Sequence, residues 1–256
     1  MLYAETGLPL RFGQRAWRVS LRAVCLCVLS LAAVPMVAQT VRPVVDENVV
    51  KGPGKKASGR IEYVNDTLQT LNVTLDSRSF TVSDTGDLAY QPLDARIHVK
   101  FSAMSFRIQP KQNYFVFYEA WADALPSWFV VYATFAGFSE KTREGFNLQI
   151  LLPHTIYLLP KQGVRKGELL VKIAEYRPKD KKVIVRVENT GPSFGRVLEA
   201  DVTSNKGKAT SNGFPVFPHR EREVEIPWEA SDEPARLMLR LEHFRLEHEV
   251  GTAPGP

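Results

Sequence analysis

Residues 146–160 read FNLQILLPHTIYLLP, and this segment decides the fold class. Successive side chains of a β-strand point to opposite faces, so apolar residues at every second position predict a strand with one apolar face. This segment is longer than a typical strand, which has about five or six residues. Its apolar face packs either against the protein's own core or against a partner. The residues on this face are Phe146, Leu148, Ile150, Leu152, Ile156 and Leu158, interrupted by His154.

The first 38 residues differ in composition from the rest of the chain. Four arginines, at positions 11, 15, 18 and 22, precede an apolar run at residues 23–36. The order basic, apolar, small is typical of a secretory signal peptide, and we expect cleavage after Ala38. The apolar run has about 14 residues, whereas a membrane-spanning helix needs roughly 20. We therefore expect an exported protein with no membrane span after removal of residues 1–38.

Removal of this signal changes the charge and the cysteine content of the chain. The full sequence has 33 basic and 28 acidic residues. The signal contains four arginines and one glutamate, so the mature chain keeps 29 basic and 27 acidic residues, a net charge of +2. This balance gives no electrostatic indication of a nucleic-acid partner. Both cysteines, Cys25 and Cys27, lie in the signal, so disulfides and thiol catalysis are excluded for the mature protein.

Beyond the signal, the chain has β-strand patterning almost throughout and predicts an all-β protein. Short runs rich in branched and aromatic residues alternate with turns that contain Pro, Gly and Asn. Two such blocks, residues 58–160 and 167–250, predict two β-sandwiches in tandem, joined by a hinge at residues 161–166. We interpret residues 39–57 as an N-terminal tether that could hold a short first strand at residues 48–51. Residues 251–256 are predicted to be a disordered tail.

The sequence contains no recognisable catalytic or cofactor-binding constellation. The five histidines are scattered, and no two of them have the spacing of metal ligands on one strand. No nucleophile elbow, zinc-protease motif or phosphate-binding glycine loop occurs. We therefore predict that the protein is not an enzyme and needs no metal or other cofactor.

The order of several short stretches resembles a known family, the periplasmic pilus-assembly chaperones of the PapD-like type. These chaperones have two immunoglobulin-like domains. The resemblance covers about residues 48–248. The stretches that carry it are IEYVNDT at 61–67, SFRIQPKQ at 105–112, Leu125-Pro126 with the strand-like run 128–135, residues 148–159, VRVENTG at 185–191 and GFPVFPHRE at 213–221.

The resemblance implies a mechanism, partners and a location. A chaperone of this family is periplasmic and caps a pilin-like subunit by donating an edge β-strand that the subunit lacks. Leu148, Ile150 and Leu152 match the family's donor residues. The implied partners are pilin-like or other exported subunits and an outer-membrane usher.

The resemblance also implies a contact with the terminal carboxylate of the subunit. The family holds this carboxylate with an arginine and a lysine. In this chain the corresponding positions are occupied by Val49 and by Tyr157, which we include in the predicted partner-binding strand. Lys51 and Lys161 are close enough in sequence to supply the carboxylate contacts instead.

Two alternatives remain open at the level of sequence. The apolar face of residues 146–160 could be the inner face of the protein's own sandwich. The chain could also be a two-domain immunoglobulin-like protein of the cell envelope, with a binding or structural role and no chaperone activity.

Overall fold

The computed structural model describes residues 39–137 and 149–252. The predicted signal peptide, residues 253–256 of the predicted tail and the segment 138–148, which includes the predicted donor residue Leu148, lie outside the described residues. Residues 251–252, which we predicted to be disordered, instead form a short strand paired in parallel with residues 175–176. No helix within the described ranges is long and apolar enough to cross a membrane.

The first β-sandwich consists of two sheets that enclose one apolar core. One sheet has the strand order β1-β3-β8-β6, and the other has the order β2-β10-β9-β4-β5, with β7 paired to β4. Alternating residues of facing strands, among them Ile61, Tyr63, Phe129 and Ile156, are fully buried between the sheets. The strands are β1 Gln39–Arg42, β2 Val45–Val50, β3 Ala57–Asn65, β4 Leu71–Val82, β5 Leu88–Pro92, β6 Ile97–Phe101, β7 Ser105–Ile108, β8 Gln112–Ala122, β9 Ser127–Gly137 and β10 Gln149–Pro160.

The structure corrects our interpretation of residues 39–57 as a tether. Strand β1 pairs antiparallel with β3, and β2 pairs in parallel with β10, so the segment joins both sheets of the sandwich. Val41 and Val50 are buried in the core. The segment lacks clear alternation in its sequence, and its conformation is set by backbone pairing with distant strands. The first strand is therefore not confined to residues 48–51.

The second sandwich is built in the same way from two four-stranded sheets. Their strand orders are β15-β12-β11-β18 and β14-β13-β16-β17. Val183, Val185 and Val187 alternate along β12 and are fully buried in a core that also contains Trp228. The strands are β11 Leu169–Arg177, β12 Lys182–Asn189, β13 Gly195–Thr203, β14 Lys208–Val216, β15 Arg220–Pro227, β16 Arg236–Arg240, β17 Arg245–Glu249 and β18 Gly251–Thr252.

A third apolar cluster lies between the two sandwiches. Tyr157 and Val130 of the first sandwich pack with Phe194 and Phe217 of the second. The Trp128 ring is tilted by 56° against the Phe217 ring, with ring centroids 4.7 Å apart. Polar contacts surround this cluster. Arg196 forms an ion pair with Glu47 at 2.5 Å, and the Glu223 backbone N–H donates to the Asp84 carbonyl at 2.7 Å. The chain passes between the sandwiches through residues 161–168, which include the predicted hinge and a short 3-10 helix, Lys166–Glu168.

Candidate partner-binding site

The first half of β10 has one edge that no described strand covers. Strand β10 pairs with β9 along residues 149–158, whereas β2 pairs with β10 only along residues 155–160. The Thr155 N–H donates to the Val44 carbonyl at 2.8 Å, on the β2 side. Backbone groups alternate in direction along a strand, so those of Gln149, Leu151 and Pro153 face the open side. This edge is available for pairing with an added strand.

The side chains along this open edge alternate between two environments. Ile150 and Leu152 are half-buried and pack against the core of the first sandwich. Leu151 points to the other face and is 54% exposed. Ile150 and Leu152 are thus neither free of their own core nor fully enclosed by it. The proposed role of these two residues and of Leu148 as donor residues stays a prediction.

A cavity of about 230 Å³ lies between the sandwiches, on the face of β10 that carries Leu151. Pro153 and Thr155 continue that face into the cavity, and Phe80 and Phe217 form further parts of its apolar wall. Among the described residues, Arg222 of β15 is the only basic residue that lines it. The open edge and the cavity therefore border each other on the same side of the first sandwich.

The Arg222 side chain crosses from the second sandwich to the β4–β5 turn of the first. Gly86 lies against the Arg222 guanidinium and has φ +99°, so a residue with a side chain would be strained at this position and would displace the guanidinium. The Nε and Nη1 atoms are buried and have no hydrogen-bond partner among the described residues. Burial lowers the pKa of Arg222, and the nearby Asp87 carboxylate opposes this effect. An anion would find unused donors at this arginine.

The structure does not bring the predicted carboxylate-binding lysines to this cavity. Lys51 is exposed in the turn that follows β2, and Lys161 lies beyond the end of β10, beside a different groove. Arg222 was missed at the sequence level because it lies in an alternating charged run, residues 220–223, that is typical of a solvated strand. Only tertiary packing distinguishes it from its neighbours.

Tyr157, which the prediction included in the partner-binding strand, lies largely buried between the two sandwiches and lines the cavity, not the open edge. It is only 5% exposed, its ring lies 4.8 Å from that of Phe194, and the Arg196 guanidinium lies 5.5 Å from its ring centroid. Burial raises the pKa of its hydroxyl. The second sandwich covers the face of β10 on which Tyr157 lies, so this residue stabilises the contact between the sandwiches.

His154 connects the end of the open edge to the N-terminal segment. It is fully buried, and its Nδ1 atom donates to the Pro43 carbonyl at 2.5 Å. The other ring nitrogen, Nε2, has no hydrogen-bond partner within residues 39–137 and 149–252. Nearby, the Tyr118 hydroxyl donates to the Asp46 carboxylate at 2.5 Å. Burial lowers the pKa of His154, although the hydrogen bond to Pro43 and the charge of Asp46 oppose the shift.

We expect this buried histidine to lower the stability of the folded protein at mildly acidic pH. Burial in the folded protein disfavours the protonated imidazolium of His154. In the unfolded chain a histidine has a pKa of about 6.5, so the unfolded chain binds more protons than the folded protein in this pH range. The free energy of unfolding should therefore decrease as the pH falls through about 6.5. Urea unfolding at several pH values measures the effect, and a His154→Gln variant should show a weaker dependence in this range. An identical pH profile for both proteins would contradict this account.

Comparisons with known proteins agree with the fold. No family model and no curated protein sequence matches this chain. Among solved structures, the YadV chaperone aligns with a TM-score of 0.50 and 11% identity over 82% of this chain and 98% of that chain. The class 5 fimbriae chaperone CfaA has a TM-score of 0.48 and 11% identity over 85% and 100% of the two chains. The E. coli chaperone DraB has a TM-score of 0.48 and 11% identity over 84% and 97%.

The similarity to the YadV chaperone shows the fold class. The chain is an all-β protein of two β-sandwiches and shares the fold of the YadV chaperone, in agreement with the fold class that the sequence predicted.

Proposed function

We propose that this protein is a periplasmic chaperone that binds pilin-like subunits through the open edge of β10. The observation that carries this proposal is the uncovered edge at residues 149–154, bordered by a cavity between two sandwiches of a chaperone fold. The signal-like sequence of residues 1–38 supports export to the periplasm.

The mechanism is the addition of a strand to an incomplete sheet. A subunit strand pairing with β10 would receive ladder hydrogen bonds from the outward backbone groups of Gln149 and Leu151. Leu148, Ile150 and Leu152 would supply apolar side chains at every second position. Full burial of each contributes roughly 1.5–3 kcal/mol, reduced here because Ile150 and Leu152 are already half-buried. The cost of ordering the complex offsets a further part of this gain.

We assign the contact with the subunit's terminal carboxylate to Arg222, in place of Lys51 and Lys161. A carboxylate at the cavity would supply the acceptor that the Nε and Nη1 atoms of Arg222 lack. An Arg222→Gln variant is therefore expected to bind the subunit roughly 10- to 100-fold more weakly, as measured by calorimetric titration. The matched control is Arg220→Gln, an exposed residue of the same strand, which should bind like the wild type. Equal affinities for both variants would contradict the assignment.

The proposed function is tested by recovery of the tagged protein from the periplasm and identification of co-purifying proteins by mass spectrometry. We expect a one-to-one complex with an exported pilin-like subunit that aggregates or polymerises when expressed without this protein. An outer-membrane usher would be recovered through the same complexes. A protein that is recovered without any such subunit, or whose partner is equally stable alone, would instead be an immunoglobulin-like binding or structural protein of the envelope.

A further inference from the structure

A second depression in the protein, here called the hinge groove, lies beside the segment that joins the two sandwiches. Its volume is about 620 Å³, and it is lined by residues of β2, the segment after β10, the start of β13 and the β16–β17 turn. Sites for small ligands typically have volumes of roughly 300–1,000 Å³. The hinge groove is thus large enough to hold a small molecule, and it is distinct from the cavity at Arg222.

Part of the groove wall consists of unusually exposed aliphatic side chains. Val49 is 66% exposed and Leu198 is 39% exposed, and both line the groove. They belong to different sandwiches, since Val49 lies on β2 and Leu198 on β13. Apolar side chains that remain exposed in a concave site gain free energy when an apolar group covers them.

The basic residues of the groove have unused hydrogen-bonding capacity. Lys161 has no hydrogen bond or ion pair with any described residue. Arg196 donates from Nε to Glu47, whereas its Nη2 atom is buried and finds no hydrogen-bond partner in the part of the chain that the structure describes. Glu47 is thereby already paired, and the other acidic residue of the groove, Glu242, has an 81% exposed side chain. An acceptor group in the groove would satisfy donors that the protein itself leaves unpaired.

We infer that the hinge groove is a binding site for a small amphiphilic carboxylate, such as a medium-chain fatty acid. The acyl chain would cover Val49 and Leu198, and the carboxylate would bind Lys161 and the free Nη2 donor of Arg196. An uncharged apolar ligand would leave the Arg196 donor unpaired, and a small ion would leave the aliphatic wall exposed. This inference rests on the hinge groove alone and does not depend on the proposed chaperone function.

Calorimetric titration of the full mature protein with octanoate tests the inference, with acetate and octan-1-ol as partial ligands. We expect saturable one-to-one binding of octanoate and at least about tenfold weaker binding of the other two. Lys161→Gln should weaken octanoate binding about tenfold through loss of the charged donor. Leu198→Ser should also weaken it, through loss of apolar contact. Arg196 is unsuitable for substitution here because it also holds the two sandwiches together.

Two matched control variants make the experiment specific to the groove. Lys179→Gln removes an exposed cation from the β11–β12 turn, and Leu170→Ser removes a 44% exposed leucine from β11; neither residue lines the groove. Both controls should bind octanoate like the wild type. Absence of saturable octanoate binding, equal binding of acetate or octan-1-ol, or equal losses in control and groove variants would each overturn the inference.

Discussion

A Leu151→Pro variant is expected to fold like the wild type and to lose its capture of subunits. The Leu151 N–H faces the open edge of β10, so proline at this position removes no hydrogen bond within the described protein. The proline ring is compatible with the extended backbone of a strand, and Pro153 already occupies the next outward-facing position. A partner strand, in contrast, would lose a ladder hydrogen bond and meet the proline ring where it must approach closely.

The measurement combines a thermal melt with subunit binding by pull-down of the co-expressed partner. We expect a melting temperature within a few degrees of the wild type, because surface changes usually alter stability by no more than about 0.5 kcal/mol. The amount of captured subunit should fall at least about tenfold. Ile150→Pro is the matched control, since the Ile150 N–H points toward β9. Loss of the hydrogen bond from the Ile150 N–H to β9 should lower the free energy of unfolding by about 1–3 kcal/mol.

The result separates two roles of β10. Normal capture by a folded Leu151→Pro protein would show that the open edge is not where subunits pair. Unfolding of Leu151→Pro to the same extent as Ile150→Pro would show that residues outside the described ranges cover this edge in the native protein. Either outcome would remove the structural basis for strand donation.

A Tyr157→Lys variant is expected to be strongly destabilised, even though it would restore the basic residue that the family resemblance places at this position. Tyr157 is buried between the sandwiches and packs with Phe194 and Arg196. A lysine there would bury a second cation beside the Arg196 guanidinium in place of an aromatic ring. An unpaired buried charge costs several kcal/mol, because the charge loses its hydrating water and gains no acceptor from the protein.

Thermal unfolding of Tyr157→Lys and Tyr157→Phe measures this effect. At roughly 2–4 °C per kcal/mol for a protein of this size, the lysine variant should melt about 10 °C or more below the wild type. Tyr157→Phe keeps the aromatic ring and should change the melting temperature by only a few degrees. A Tyr157→Lys protein of normal stability that binds subunits more tightly would instead show that this position contacts the partner.

The open edge of β10 follows from the path of the N-terminal segment. The chain leaves the first sheet after Arg42 and pairs with β10 only from Thr155 onward, so no described strand covers the preceding residues of β10 on this side. Exposed edges are a risk for uncontrolled association, and proline is one of the residues that limit it. Pro153 lies on the uncovered stretch and offers a carbonyl but no N–H to an approaching strand. The edge is thereby open to pairing along only a few residues.

The sequence by itself determined which residues of a strand share a face. The alternation in residues 146–160 predicted a strand with one apolar face but left open what that face packs against; in the structure Ile156 and Leu158 of this face are buried in the core, and the valines of β12 follow the same alternation. The two blocks of strands also predicted the two-sandwich fold. These properties are local, because the direction of a side chain follows from the two-residue repeat of a strand.

The tertiary structure alone decided which surfaces remain available. Residues 39–50 pair with strands far along the chain, and their sequence does not encode that pairing by any local period. The burial of Tyr157 also depends on tertiary contacts. Its side chain faces outward from the first sandwich, and the second sandwich covers it. Arg222 reaches the cavity only because β15 packs beside the β4–β5 turn. Exposure depends on contacts between residues distant in sequence, so strand alternation can assign a residue to a face but cannot show what covers that face.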